Sequence, residues 1–321
     1  MARLILILIS FVLSVNVWAG NIPATFYVDS VLGSDNSSTT TGLATDNAWA
    51  TVAKVNAFSR TNILTYSEDF THSPWTISAA DTLLIADNAV APDGTTTADR
   101  IQETATSAGH RVYTPDITVV TATPYSFSSY AKAGERNWLI LSTWVTGGYA
   151  HSYFDLANGV VGTDGHGATA KIESVVNGWY RCSVVRTSNG TVLDVYIWET
   201  TGDGVVGHLG DNVSGLYIWG AHLGTTSLSP YIPTTTAAVT ASFQPGDNIL
   251  FKRGQTWAET LTVPSSGTSG AHITFGSYGG GAKPNITGGV DMNGKTYVDT
   301  QFTNNWQLPN FIQSPSFPSW R

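Results

Sequence analysis

Between residues 62 and 233, apolar and polar side chains alternate in runs bounded by Gly, Asn, Asp, Pro or Thr. A period of two sends successive side chains to opposite faces of a strand, and turn residues between the runs predict an all-β fold. Over 138–145, Leu139, Leu141 and Val145 share one face, leaving Trp138, Ser142 and Trp144 on the other. Over 149–156, Ala150, Phe154 and Leu156 point inward, with Tyr149, His151, Tyr153 and Asp155 opposite. Over 191–199 the inward set is Leu193, Val195 and Ile197, and the outward set is Asp194, Tyr196 and Trp198. Over 125–132, Phe127 and Ala131 oppose Ser126, Ser128, Tyr130 and Lys132. Each of these strands has an aliphatic face and a face that mixes rings with polar groups. Only 48–57 reads as a helix, with apolar positions 49, 52, 53 and 57 and with Asp46 or Asn47 as its cap.

After residue 242 the pattern changes. Short strands at 249–251, 261–263, 273–275 and 285–287 start 12 residues apart, with glycine-rich turns between them. Such spacing suits the stacked rungs of a β-solenoid, and a meander would give a similar pattern. The first residues differ again: Arg3, an apolar run over 4–15 and Val17-Trp18-Ala19 before Gly20 have the layout of a secretory signal. Residues 1–19 are expected to be cleaved, leaving a secreted, extracellular, soluble chain, with an uncleaved anchor as the alternative.

Composition narrows the partners. The 321 residues include 15 Lys+Arg and 23 Asp+Glu, a net charge of -8, and the charged share of 12% is about half the usual one. Coiled coils, helical bundles and charged disordered chains are excluded. Without a basic run, nucleic acid and anionic membranes are not expected partners. The one cysteine, Cys182, cannot form an internal disulfide and lies in an alternating apolar run, as a buried thiol would.

Two stretches carry a family resemblance. Phe26-Tyr27-Val28-Asp29-Ser30-Val31-Leu32-Gly33-Ser34-Asp35, with Ala48-Trp49-Ala50-Thr51-Val52-Ala53-Lys54-Val55-Asn56, resembles the N-terminal cap of secreted right-handed parallel β-helix proteins of the polysaccharide-lyase type. The element that follows in that family is similar to residues 243–254, Phe-Gln-Pro-Gly-Asp-Asn-Ile-Leu-Phe-Lys-Arg-Gly, which stand far downstream here. An inserted unit explains the gap, since insertion at an exposed loop is tolerated when the unit's ends lie close together. Within it, Asn62-Ile63-Leu64-Thr65-Tyr66-Ser67-Glu68-Asp69-Phe70, Pro74-Trp75, Tyr130-Ala131-Lys132-Ala133-Gly134, Asn177-Gly178-Trp179-Tyr180 and Tyr217-Ile218-Trp219-Gly220-Ala221 are similar to a jelly-roll module. That module occurs in phage tail and bacterial glycan-active proteins and resembles carbohydrate-binding modules. The implied division is a signal over 1–19, a cap segment over 20–60, a jelly roll over 61–236 and the first β-helix rungs over 237–321.

The mixed strand faces suggest chemistry. Sugars present flat C–H patches ringed by hydroxyls, which an aromatic ring and neighbouring polar groups match. The candidate carbohydrate-binding residues are Trp138, Trp144, Tyr149, His151, Tyr153, Asp155, Asp194, Tyr196 and Trp198. Packing beneath another layer is the competing reading, because Tyr and Trp favour strands for packing reasons alone. Trp75, Trp179 and Trp219 are expected to be structural. His110, His166 and His208 stand beside glycines and read as loop residues, and no zinc spacing joins the histidines. Asp93, Asp99, Asp203 and Asp211 fall in turns where oxygen ligands could gather a structural Ca²⁺, as related jelly rolls do, against the simpler reading of solvated turn residues. No cofactor is expected to be required.

A lyase needs a base and a cation beside the uronate, and a glycosidase needs two carboxyls at a set separation. The stretch 237–321 is short for a catalytic solenoid and resembles a truncated one, and Asp247, Lys252, Arg253 and Glu259 read as turn or rim residues. The expected function is therefore binding of a polysaccharide or cell-surface glycan on the ring-lined sandwich face, with no catalytic residues of its own. The N-terminal part of a β-helix lyase or hydrolase, and a non-catalytic adhesin or tail-spike-like protein, are the alternatives. A homo-oligomer would cover an exposed rung edge.

Overall fold

A computed structural model describes residues 22–36, 41–165, 167–225, 228–288 and 290–291. The proposed signal at 1–19 and the segment 292–321 lie outside the described residues. In chain order the strands begin with β1 (Thr25–Val28), β2 (Arg60–Asn62), β3 (Thr76–Ile77), β4 (Thr82–Ala89), β5 (Ala98–Glu103) and β6 (Ser107–Ala108). They continue with β7 (His110–Thr118), β8 (Pro124–Lys132), β9 (Trp138–Val145), β10 (Gly148–Asp155), β11 (Val160–Asp164) and β12 (Thr169–Ser174). Next come β13 (Trp179–Thr187), β14 (Val192–Thr200), β15 (His208–Leu209), β16 (Gly215–Thr225) and β17 (Val239–Ala241). The last are β18 (Asn248–Lys252), β19 (Thr256–Trp257), β20 (Leu261–Thr262), β21 (Thr274–Tyr278), β22 (Asn285–Ile286) and β23 (Val290–Asp291).

The expected all-β sandwich is present. One six-stranded antiparallel sheet runs β11-β10-β9-β14-β7-β3, and a second runs β12-β13-β8-β16-β5-β4. Between them lie Phe127, Ala131, Leu139, Leu141, Val145, Phe154, Leu156, Leu193, Val195 and Ile197, the inward side chains that alternation assigns. Cys182 is in the same core, where burial pushes its thiol well above the ordinary range, so it behaves as a small apolar side chain. The four strands with ring-bearing faces do not share a sheet, however: β9, β10 and β14 are neighbours, whereas β8 belongs to the second sheet. There Tyr130 is buried beside the rings of Trp219 and Tyr231. Trp75, Trp179 and Trp219 are structural, each buried with its indole N–H donating to Thr65 and Tyr66 carbonyls, to the Val90 carbonyl and to Thr97 Oγ1 respectively.

A second, separate core gathers Phe26, Val28, Trp49, Val52, Val55, Phe243, Ile249, Phe251, Trp257 and Leu261. Its strands pair in parallel. Phe26 stands beside Ile249 and Ile249 beside Phe275, while Trp257 pairs with Ile286 and Leu261 with Val290. Consecutive short strands of the 12-residue series are thus not neighbours: Ile249 pairs with Phe275, 26 residues further on, and Leu261 with Val290, 29 residues further on. Alternation locates a strand without saying what lies beside it. The helix is shorter than expected, Val52–Asn56, and Thr51 caps it by accepting from Lys54 N at 3.0 Å. Trp49 instead forms a parallel bridge with Val28.

The chain enters the sandwich through β2 and leaves through β17, and these two strands pair antiparallel. Beside this crossing the buried Arg60 guanidinium donates to Asp247 Oδ2 at 2.7 Å, and Asp247 also accepts from the backbone N–H groups of Ala24 and Gln244. Asp247, read from sequence as a turn or rim residue, is in fact a fully buried junction between the two cores.

Candidate functional site

Register places the candidate rings in rows across the outer face of the first sheet. Tyr149 of β10, Trp144 of β9 and Asp194 of β14 form one row. His151, Ser142, Tyr196 and, on β7, Tyr113 form the next. Tyr153, Ile140, Trp198 and Arg111 form the third, and Asp155, Trp138 and Thr200 the fourth. Opposed residues in antiparallel strands stand about 4.5–5.5 Å apart, so each row is a continuous ridge of side chains.

The rings interlock. Tyr113 stacks on Tyr196 at 5.0 Å and Tyr149 on His151 at 5.3 Å, while His151 meets Trp198 edge-on at 5.8 Å. Tyr149 Oη donates to Tyr196 Oη at 3.5 Å, Tyr196 Oη donates to Asp194 Oδ2 at 3.1 Å, and Ser142 Oγ lies 2.6 Å from His151 Nδ1. Burial, the hydrogen bond from Tyr149 and the Asp194 charge all hold the Tyr196 phenol protonated, so it is a fixed donor. The Arg111 guanidinium lies 4.5 Å from the centre of the Trp198 ring.

Exposure divides the face. Tyr153, Tyr196 and Trp198 are only 4–5% exposed, whereas Tyr149 is 38% exposed, and Trp144, Trp138, His151, Asp194 and Tyr113 are half-buried. Three of the expected contact rings are therefore floor. Among the described residues no second sheet covers them. They are buried by each other, by Arg111, by Val206 and by the backbone at Gly109, where a Cβ would come within 2.3 Å of Trp198. Similarly, a Cβ on Gly162 would meet both Trp138 and Asp203, closing the far row. Asp155 also leaves the site: its carboxylate accepts from Ala157 N, Asn158 N and Asn158 Nδ2 at 2.7–3.2 Å and caps a turn. What stays open is the corner formed by Trp144, Tyr149, Asp194, His151 and Tyr113. Tyr113 and Arg111 were missed from sequence; their alternation along β7 with buried Val112 and Thr114 was the available signal.

The four aspartates expected in turns lie apart from this face or at its edge; Asp99 is instead a strand residue of β5, and both it and Asp93 are buried rather than solvated. Asp93 accepts from Thr95, Asp99 from the N–H groups of Phe70 and Asp87, Asp203 from Thr163, and Asp211 from Val213 and Ser214. Burial pushes the Asp99 carboxyl up to about 6 and Glu68, beside Tyr231, up to about 7. His110 and His208 are strand residues rather than loop residues; His166 lies outside the described residues.

No protein-family model and no curated protein matches the chain. Solved structures similar to it include a Clostridium thermocellum xylanase 10B fragment, CBM22-1–GH10 in complex with xylohexaose, at 15% identity and a TM-score of 0.31. That likeness covers 55% of this chain and 29% of the other, so this chain spans under a third of it. The β-1,4-galactotriose complex of TmCBM61 shares 12% identity over 50% of this chain and 97% of its own, with a TM-score of 0.30. The enzymatically active domain of tailspike protein 4 from bacteriophage CBA120 shares 12% identity over 56% of this chain and 22% of its own, with a TM-score of 0.32. Likeness of this size carries no chemistry from those proteins to this one.

Proposed function

We propose that the chain is exported by its N-terminal signal and binds a polysaccharide or cell-surface glycan at the open corner of the ring-lined face. The observation that carries this reading is the row Tyr149–Trp144–Asp194: two accessible rings beside a carboxylate on a sheet face that no other layer among the described residues covers. The rings would take the C–H patch of a pyranose while Asp194, His151 and the Tyr149 hydroxyl pair with its hydroxyls. The buried layer of Tyr196, Trp198 and Tyr153 fixes the two rings from below, so little side-chain freedom is lost on binding.

The test is retention on a glycan array by the chain and by a Trp144→Ala/Tyr149→Ala double variant. Both side chains lie at the surface, so the melting temperature should hold while affinity for the retained glycan falls at least tenfold, about 1.4 kcal/mol. Retention by the double variant equal to that of the parent chain, or no glycan retained by a folded parent chain, rejects the site.

A second reading is favoured by the parallel ladders β1-β18-β21, β19-β22 and β20-β23. We read them as the opening coils of a right-handed β-helix of the polysaccharide-lyase type, into which the sandwich is inserted between β2 and β17. A catalytic coil would release unsaturated uronates, seen as a rise in ultraviolet absorbance with uronate polymers. The expected result for this chain is no rise, because two carboxylates near those ladders are engaged in structure, Asp247 with Arg60 and Glu259 with Ala53 N. A steady rise would make it an enzyme.

A further inference from the structure

At one end of the sandwich, away from the open corner, three inward-facing donors converge. His110 opens β7, Glu199 stands directly opposite it on β14, and His208 comes from β15, paired to β6. One donor atom from each lies within 4.8 Å of the others, and the two imidazole rings are 4.8 Å apart. His110 and Glu199 are fully buried, and the His208 side chain is 8% exposed. Buried polar atoms are almost always paired, and a buried carboxylate without a donor is costly. Yet among the described residues His110 Nε2, His208 Nδ1 and both Glu199 oxygens have no hydrogen-bond partner, Glu199 Oε1 meeting only His208 Nε2 at 3.4 Å.

The surroundings are those of a built site. His110 Nδ1 faces the Asp81 carbonyl oxygen, which fixes the ring and leaves Nε2 as its unpaired nitrogen. His208 Nε2 lies 2.8 Å from Glu103 Oε2, and Glu103 is itself held by Arg136 through contacts of 2.6 and 2.8 Å and by the Asp211 N–H. A carbonyl behind an imidazole, as Asp81 stands behind His110, is the support that metal-bound histidines use, while Glu103 orients His208 through the Nε2 that also lies 3.4 Å from Glu199 Oε1. The setting is rich in carboxylates: Glu103, Glu199 and Asp211 gather around Arg136, which lies 3.9 Å from both Glu199 and Asp211.

We propose that His110, Glu199 and His208 form a binding site for a divalent transition metal of the zinc type, which ties β7, β14 and β15 together at this end of the sandwich. Two imidazoles and a carboxylate suit zinc and its first-row neighbours, whereas calcium and magnesium prefer oxygen alone. Zinc bonds of about 2.1 Å would draw the donors together by roughly an ångström.

The experiment uses the whole chain, stripped with chelator, given one equivalent of ZnCl₂ and desalted. One zinc per chain by elemental analysis, with a raised melting temperature, is expected, since a ligand that binds only the folded state stabilises it. CoCl₂ in its place should give visible absorption bands. Glu199→Gln and His208→Ala should weaken zinc retention at least tenfold and abolish the cobalt bands. His72→Ala, which removes an exposed histidine paired with Asp69, should change neither. A folded parent chain that retains no zinc overturns the proposal, as does retention unaffected by His208→Ala. If Glu199→Gln does not fold, the parent stoichiometry and the partly accessible His208 still decide it.

Discussion

Trp198→Ala should lower the unfolding free energy by about 3–5 kcal/mol, whereas Trp144→Ala on the neighbouring strand should cost under about 1 kcal/mol. By alternation the two rings look equivalent, since both point away from the sandwich core. Their surroundings differ. Trp198 is 5% exposed, with Arg111 over one face, the edge of His151 against it, and Gly109 and Val206 closing its rim. Removing it leaves a cavity that Arg111 and the neighbouring tyrosines cannot refill, and the Arg111 charge loses its ring. Trp144 is half-buried beside exposed Tyr149, and water can take its place. Urea denaturation of both variants measures the difference. Equal small losses would mean that the ring layer is not packed as described. The same contrast bears on binding: reduced glycan retention by Trp198→Ala would report a disturbed floor, and only Trp144 and Tyr149 report ligand contact.

Acid should destabilise the protein through His222, by about 1.4 kcal/mol per pH unit between roughly pH 6.5 and pH 3. His222 is fully buried beneath β2, with Nε2 3.1 Å from the Thr61 carbonyl oxygen and Nδ1 3.4 Å from Arg181 Nη2. A neutral ring with its proton on Nε2 satisfies both neighbours. Burial first, then the Arg181 and Arg60 charges, depress its pKa to about 3. A folded-state pKa below the unfolded one means that the unfolded chain binds the extra proton first. The neutral ring's contribution is therefore complete above about pH 6.5 and is lost as pH falls toward 3. The raised carboxyls of Asp99 and Glu68 work in the opposite direction, since their protonated forms are favoured in the folded state. The decisive measurement is accordingly a difference: unfolding free energy against pH for the parent chain minus that for His222→Gln. A difference that does not change between pH 6.5 and 4 rejects the assignment.

Much of this molecule was readable from its chain. Leu139, Leu141 and Val145, Phe154 and Leu156, and Leu193, Val195 and Ile197 fall on one parity of their strands, and burying apolar surface sends that parity inward whatever the neighbouring strand. The same parity carried an unread message. Glu199 shares it with Ile197, and Glu103 shares it with Ile101, so two carboxylates were marked for the interior before any coordinates. What they would meet could not be read, because His110, His208 and Arg136 arrive from other strands and loops through long-range pairing.

Sequence by itself determined where β8, β9, β10 and β14 run, which side of each is apolar, and that a short-strand grammar begins after residue 242. Tertiary structure alone decided that β8 lies in the other sheet, that Trp198 is floor while Trp144 is surface, and that β18 pairs with β21 rather than with β20. The physical reason is that alternation is a property of one strand and its two faces. Partners, exposure and the meeting of distant side chains depend on register between strands, which is fixed by the packing of the whole.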